Sequence, residues 1–132
     1  MSMVFPQNKT ITRARTTKQM GDAAEDAALH HLQKAGLRLL ERNYRTPGRG
    51  GGEIDLIMQT PDGTTVFVEV RQRTHAHHGG AAASVGGSKQ RRIVFAARHY
   101  LMRLREPPPC RFDVVLLEQG GIEWLQAAFD AY

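Results

Sequence analysis

The chain has 132 residues, 41% of them hydrophobic, with 18 Lys and Arg against 13 Asp and Glu, for a formal charge of +5. That length suits one ordinary domain, and no apolar run approaches the ~18 residues of a membrane span. A single cysteine, Cys110, excludes an internal disulfide and a thiolate metal cluster, while the basic balance favours a polyanionic partner through counterion release.

Residues 1–16 are rich in Thr and Arg without a sustained apolar period, which predicts a flexible basic arm ahead of one domain over 17–132. The same stretch lacks the continuous apolar region of a secretory signal, so a cytoplasmic location is expected. KQMGDAAEDAALHHLQKAG reads as a helix: Ala-rich, with acids in its first turn, Lys34 in its last, and Gly36 as its stop. Glu25, Ala28, Leu29 and Leu32 fall at i, i+3, i+4 and i+7, which places Glu25 on the core-facing stripe. Asp22 and Asp26 lie off that stripe, where the field of a helix N-terminus accounts for them.

LRLLERNYRT reads as a strand, and PGRGGG as a loop leading to the next element. The stretch from Gly52 to Arg73, GEIDLIMQTPDGTTVFVEVRQR, predicts two strands joined at PDG. Pro61 and Asp62 suit a type I turn, and Gly63 the left-handed residue of a three-residue hairpin loop. Thr60 then faces Thr64. Counting outward pairs Met58 with Val66, Leu56 with Val68 and Ile54 with Val70 on one apolar face. Ile57 with Phe67, Asp55 with Glu69 and Glu53 with Arg71 occupy the other. Two carboxylates opposed across strands, about 5 Å apart at Cβ, repel and require compensation. A divalent cation, a shared proton and a neighbouring arginine each supply it.

QRTHAHHGGAAASVGGSK is a Gly-, Ala- and His-rich loop, expected to be mobile. His75, His77 and His78 lack the spacing of a zinc site and read as solvated loop residues. SKQRRIVFAARHYLMRLRE predicts a helix capped by Ser88, with a stripe through Ile93, Ala97, Tyr100 and Leu104, ended by the prolines that follow. Lys89, Arg91, Arg92 and Arg98 make its remaining surface basic. RFDVVLLEQGGIEWLQAAF reads as two strands around a Gly-Gly turn, the first packed on both faces. Asp113 is read as an anchor outside the site, and Trp124 and Phe129 as core or rim aromatics.

An Asp on one strand, a Glu followed two residues later by a cation on the next, and an acidic helix upstream resemble the PD-(D/E)xK signature of restriction-endonuclease-like nucleases. The matching positions are Asp55, Glu69 and Arg71, with Glu25 on the helix. More narrowly, GDAAEDAA, ERNYR, GEIDLI, VFVEVRQR, the Lys89 helix and RFDVV, in that order, resemble the YraN-like family of small bacterial proteins, related to archaeal Holliday-junction resolvases. The resemblance spans residues 18–130. It implies an α/β fold with a restriction-endonuclease-like mixed sheet of four to five strands flanked by helices. It further implies an Mg²⁺ or Mn²⁺ site formed by Asp55, Glu69 and the carbonyl of Val70, completed by Glu25, and an endonuclease acting on DNA, including branched DNA. Lys89, Arg91, Arg92 and Arg73 are the candidate nucleic-acid contacts.

The position that usually holds Lys is Arg71 here. An arginine stays protonated and cannot act as a general base, but its fork still clamps a phosphate. Two readings of Arg71 stay open, this clamp and a cross-strand ion pair with Glu53; Lys89 is the candidate to supply an ammonium instead. A nucleic-acid-binding module without turnover, and an adaptor whose acids are neutralised by a partner's arginines, are the alternative functions. A homodimer suits paired cuts, and no segment marks its interface.

Overall fold

A computed structural model of the chain describes residues 17–73 and 85–131. The arm over 1–16 and the loop bearing His75, His77 and His78 lie outside them.

Helix α1 (Thr17–Lys34) stops where its glycine dictates. Gly36 takes φ +100°, its N–H donates to the Gln33 carbonyl at 3.0 Å, and the Leu37 N–H donates to the Leu32 carbonyl at 3.1 Å. These are the two bonds of a Schellman stop, and Leu32 and Leu37 meet in one apolar cluster, as that motif favours. The start of α1 lies where expected, but its acids do not fall in the first turn. The helix begins at Thr17 and has no acid in its first turn, so the field of the N-terminus does not explain Asp22 and Asp26. Asp22 pairs with Lys18 at 3.1 Å and Asp26 with Arg42 at 2.7 Å.

Five strands follow in spatial order β1 (Arg38–Arg45), β2 (Glu53–Gln59), β3 (Thr65–Arg73), β4 (Cys110–Glu118) and β5 (Gly121–Phe129). All neighbours are antiparallel except β3 and β4, which run parallel. Parallel neighbours need a crossover, and helix α2 (Gly87–Leu101) lies in that connection. The result is a mixed α/β sheet with one helix on each face.

The hairpin turn forms as its residues require. The Thr60 N–H donates to the Thr64 carbonyl at 2.9 Å, Gly63 takes φ +94°, and the register runs Gln59–Thr65, Met58–Val66, Ile57–Phe67 and Leu56–Val68. Alternation along these strands feeds two cores. Ala28 and Leu32 of α1 pack with Leu56, Met58, Val66, Val68 and Val115. On the opposite face Ile93, Ala96, Ala97 and Tyr100 of α2 pack with Ile57, Phe67, Phe112 and Val114.

Helix α2 departs from expectation at both ends. Its N-cap is Gly86, without a side-chain cap, and Ser88 lies inside the first turn. It ends at Leu101, short of the prolines, so Leu104 lies beyond the helix and is exposed. On β4, Asp113 is fully buried. It accepts from Arg111 Nε at 3.0 Å, Trp124 Nε1 at 2.9 Å and the Ala127 N–H at 2.9 Å. Ala127 takes φ +53° and the β4–β5 register shifts between Phe112 and Val114, so the carboxylate stands in for a strand partner at an irregularity. Among the described residues, no helix is long and apolar enough to cross a membrane.

Candidate functional site

The site forms where the hairpin ladder gives out. Pairing between β2 and β3 stops at Leu56–Val68, and one step further the Asp55 carboxylate accepts the Val70 N–H at 2.8 Å. Asp55 thus reaches β3 through its side chain. The cause is a reversal of the pleat. Ile54 joins Ile57 in the core under α2, whereas Leu56 faces α1; strict alternation would have put Ile54 with Leu56. The neighbouring strand reverses in step, with Tyr44 in the α2 core, Arg42 turned to α1, and Asn43 between them at φ +54°. Asn tolerates this left-handed conformation better than most side chains. In extended backbone the carbonyl of a residue points to the same side as its N–H, so the Val70 carbonyl faces Asp55 as well.

Glu69 is 4% exposed and Asp55 half-buried, and their side chains share a hydrogen bond. Burial, followed by the charge of Asp55, pushes the Glu69 carboxyl up to about 8 against the opposing fields of Lys89 and Arg71. Burial also raises Asp55, opposed first by the Val70 N–H. Two carboxylates this close, out of water, cannot both ionise without compensation, so the pair retains a proton or gathers cations. Lys89 Nζ stands 3.8 Å and an Arg71 guanidinium nitrogen 3.6 Å from Glu69 Oε2. Both cations are part-exposed and reach the buried acid from outside.

Glu25 lies on the inward stripe of α1 as expected, with its side chain 14% exposed. Burial raises it, as does the Asp55 charge, while Arg42, whose Nε lies 3.4 Å from its Oε1, opposes both. Arg42 also holds Asp26 at 2.7 Å and so ties α1 to β1 beside the acids. The sequence offered no signal for this role of Arg42, because strand alternation alone does not reveal the reversal at Asn43. Among the described residues, no group of three or more His, Cys, Asp or Glu is arranged to hold a metal ion.

The ion pair expected between Glu53 and Arg71 does not form. Glu53 pairs instead with Arg45, its register partner on β1, at 3.4 Å, because beyond Leu56 the β2–β3 ladder no longer sets it opposite β3. Arg71 is left to Glu69. Arg73 lies near the end of β3 and is bound to Glu118 at 2.8 Å. Arg91 and Arg92 are exposed on α2. Arg92 also lines, with Arg45, Thr46, Glu53 and glycines 48 and 50–52, an open cavity of about 490 Å³. The buried Thr46 closes the loop behind it, its hydroxyl accepting the Gly52 N–H at 2.7 Å, a closure that composition alone did not reveal.

A profile of the uncharacterised protein family UPF0102 matches residues 24–117, a span that includes Glu25, Asp55, Glu69, Arg71 and Lys89. The chain belongs to that family. A UPF0102 protein of Albidiferax ferrireducens is 77% identical over 129 residues, covering 98% of this chain and 99% of the relative. One from Polaromonas sp. is 67% identical over 125 residues, covering 88% and 84%. Another from Cupriavidus necator is 57% identical over 126 residues, covering 96% and 94%. UPF0102 membership agrees with the resemblance carried by GEIDLI and VFVEVRQR, and it brings no named activity.

Proposed function

We propose that this UPF0102 chain is a divalent-metal-dependent endonuclease of PD-(D/E)xK type that hydrolyses phosphodiester bonds in DNA. The observation that carries the reading is the Asp55–Glu69 pair, half-buried at Asp55 and 4% exposed at Glu69, whose proton affinity is raised. A stability-driven fold has little reason to bury two facing acids, whereas a phosphoryl-transfer site uses them.

The residues fit Mg²⁺ or Mn²⁺, hard cations that take oxygen ligands and are commonly held by one or two carboxylates plus water and substrate phosphates. Asp55, Glu69 and the Val70 carbonyl would hold the ion. Glu25, engaged by Arg42, would contribute through a water. A bound ion lowers the pKa of its water and stabilises charge on the phosphoryl oxygens. Arg71 and Lys89 flank the pair from the solvent side, placed to bind the phosphate oxygens and orient the scissile group. Arg91 and Arg92 extend the cationic surface along the substrate backbone. Arg73, committed to Glu118, is outside this surface. Branched DNA as the preferred substrate rests on the resolvase resemblance alone.

A second reading, a nucleic-acid-binding module without turnover, is favoured by Arg71, which offers no general base where the signature has Lys. A nicking assay with Mg²⁺ or Mn²⁺ on linear, flap and four-way DNA separates the two. The native chain is expected to cut only with metal, and Asp55→Asn and Glu69→Gln to lose at least about a hundredfold. Equal cutting by all three proteins would sink the site. Absence of cutting, with salt-sensitive binding by all three, selects the binding module.

A further inference from the structure

Helix α2 carries four cations, Lys89, Arg91, Arg92 and Arg98, and no acid. Lys89, Arg91 and Arg92 lie in its first turns, at the positive end of the helix dipole, where cations are unfavourable unless an anion joins them. Arg91, Arg92 and Arg98 make no ion pair among the described residues. Opposite the buried stripe, these arginines frame an aromatic ring. Phe95 is 52% exposed, with Arg91 four residues before it and Arg98 three after, so both flank it on one helix surface.

The other described phenylalanines are committed. Phe67 stacks on Phe112 at 5.4 Å between centroids and Phe112 on Phe129 at 5.1 Å. Phe95 packs on none of them, and with Arg91, Val94 and Arg98 it lines a shallow cavity of about 280 Å³. That is at the small end of the roughly 300–1,000 Å³ of pockets that enclose small molecules. A flat group laid on the ring suits it better than an engulfed ligand.

We infer that Phe95 is a base-stacking platform for an unpaired nucleobase, with Arg91 and Arg98 holding the adjacent phosphates, so that α2 selects single-stranded or locally opened nucleic acid. The inference rests on the nucleic-acid reading above and adds the strandedness of the substrate. Stacking on an aromatic ring is indifferent to sequence and unavailable to bases inside an intact duplex. An anionic membrane is a poorer fit, because Phe95, Met102 and Leu104 make too narrow an apolar face to enter lipid.

The test is fluorescence anisotropy on the full chain with a single-stranded oligonucleotide and its duplex, in EDTA so that binding is read without cutting. Phe95→Ala is expected to weaken single-strand binding about tenfold and duplex binding less than about twofold. Phe95→Trp retains binding, and its added emission is quenched by the single strand. The double variant Arg91→Ala, Arg98→Ala weakens both and makes the log–log salt slope on single strands shallower by about 1.4. Phe95→Ala binding the single strand as tightly as native overturns the inference, as does equal loss on both substrates or a Phe95→Trp emission that the oligonucleotide leaves unchanged. So does a Phe95→Ala chain that sediments as a smaller species, which assigns the ring to contact between copies, or binding to anionic vesicles and to neither oligonucleotide. Phe95-dependent binding without metal-dependent cutting removes the nuclease reading and leaves this one standing.

Discussion

At the residue scale the chemistry is concentrated on Glu69. Its folded value of about 8 lies above the ordinary 4.5, so between these values the folded chain binds more protons than the unfolded one. Stability therefore falls as pH rises through that window: the contribution is complete below 4.5 and lost through about 8. Asp55, also raised, adds a slope of the same sign. Thermal scans in EDTA are expected to show the melting temperature declining across this range. Glu69→Gln, which keeps the shape and drops the charge, should flatten the slope and raise the alkaline melting point by a few degrees. A native profile that climbs toward the alkaline end would contradict the buried pair. Arg42 and Asn43 matter here through other residues: one holds Glu25 and the other accompanies the reversal that turns Asp55 toward Val70.

At the element scale the decisive contact is between β2 and α2. Gly52 precedes β2, and a Cβ there would stand 2.0 Å from the Arg92 carbonyl oxygen and 3.1 Å from Ala96 Cβ. Backbone atoms cannot yield as a side-chain tip can, so Gly52→Ala must displace α2, which carries Lys89 and the arginines. A loss of about 3 kcal/mol is expected in urea unfolding. Gly21→Ala serves as contrast. It lies within α1 with nothing within 4 Å of a new Cβ, and should stabilise by up to about 1 kcal/mol. Equal effects of the two would remove the close approach as an explanation. The hairpin was readable at this scale because turn chemistry is local: Pro61, Asp62 and Gly63 fix a loop, and the loop fixes the register. The end of the ladder was not readable, since it depends on a reversal shared with β1, a strand remote in sequence from β3.

At the scale of the whole molecule, the middle strands belong to both cores. Met58, Val66 and Val68 face α1 while Ile57 and Phe67 face α2, so neither layer has strands of its own to fall back on. Leu32 is fully buried, and Leu32→Ala is expected to cost about 2–5 kcal/mol. Unfolding should remain one transition, coincident in far-ultraviolet circular dichroism and Trp124 fluorescence; two separated transitions would show the layers to be independent. The sequence by itself determined the α/β class, the inward placing of Glu25, the register Leu56–Val68 and the proximity of Asp55 to Glu69, because periodicity and turn residues act over a few positions. Tertiary structure alone decided that Arg71 meets Glu69 rather than Glu53 and that Arg42 holds Glu25, and it set Lys89, the ammonium candidate of the sequence, 3.8 Å from Glu69. Those partnerships depend on where separate elements lie in space, and a buried carboxylate draws whichever cations the packing brings within reach.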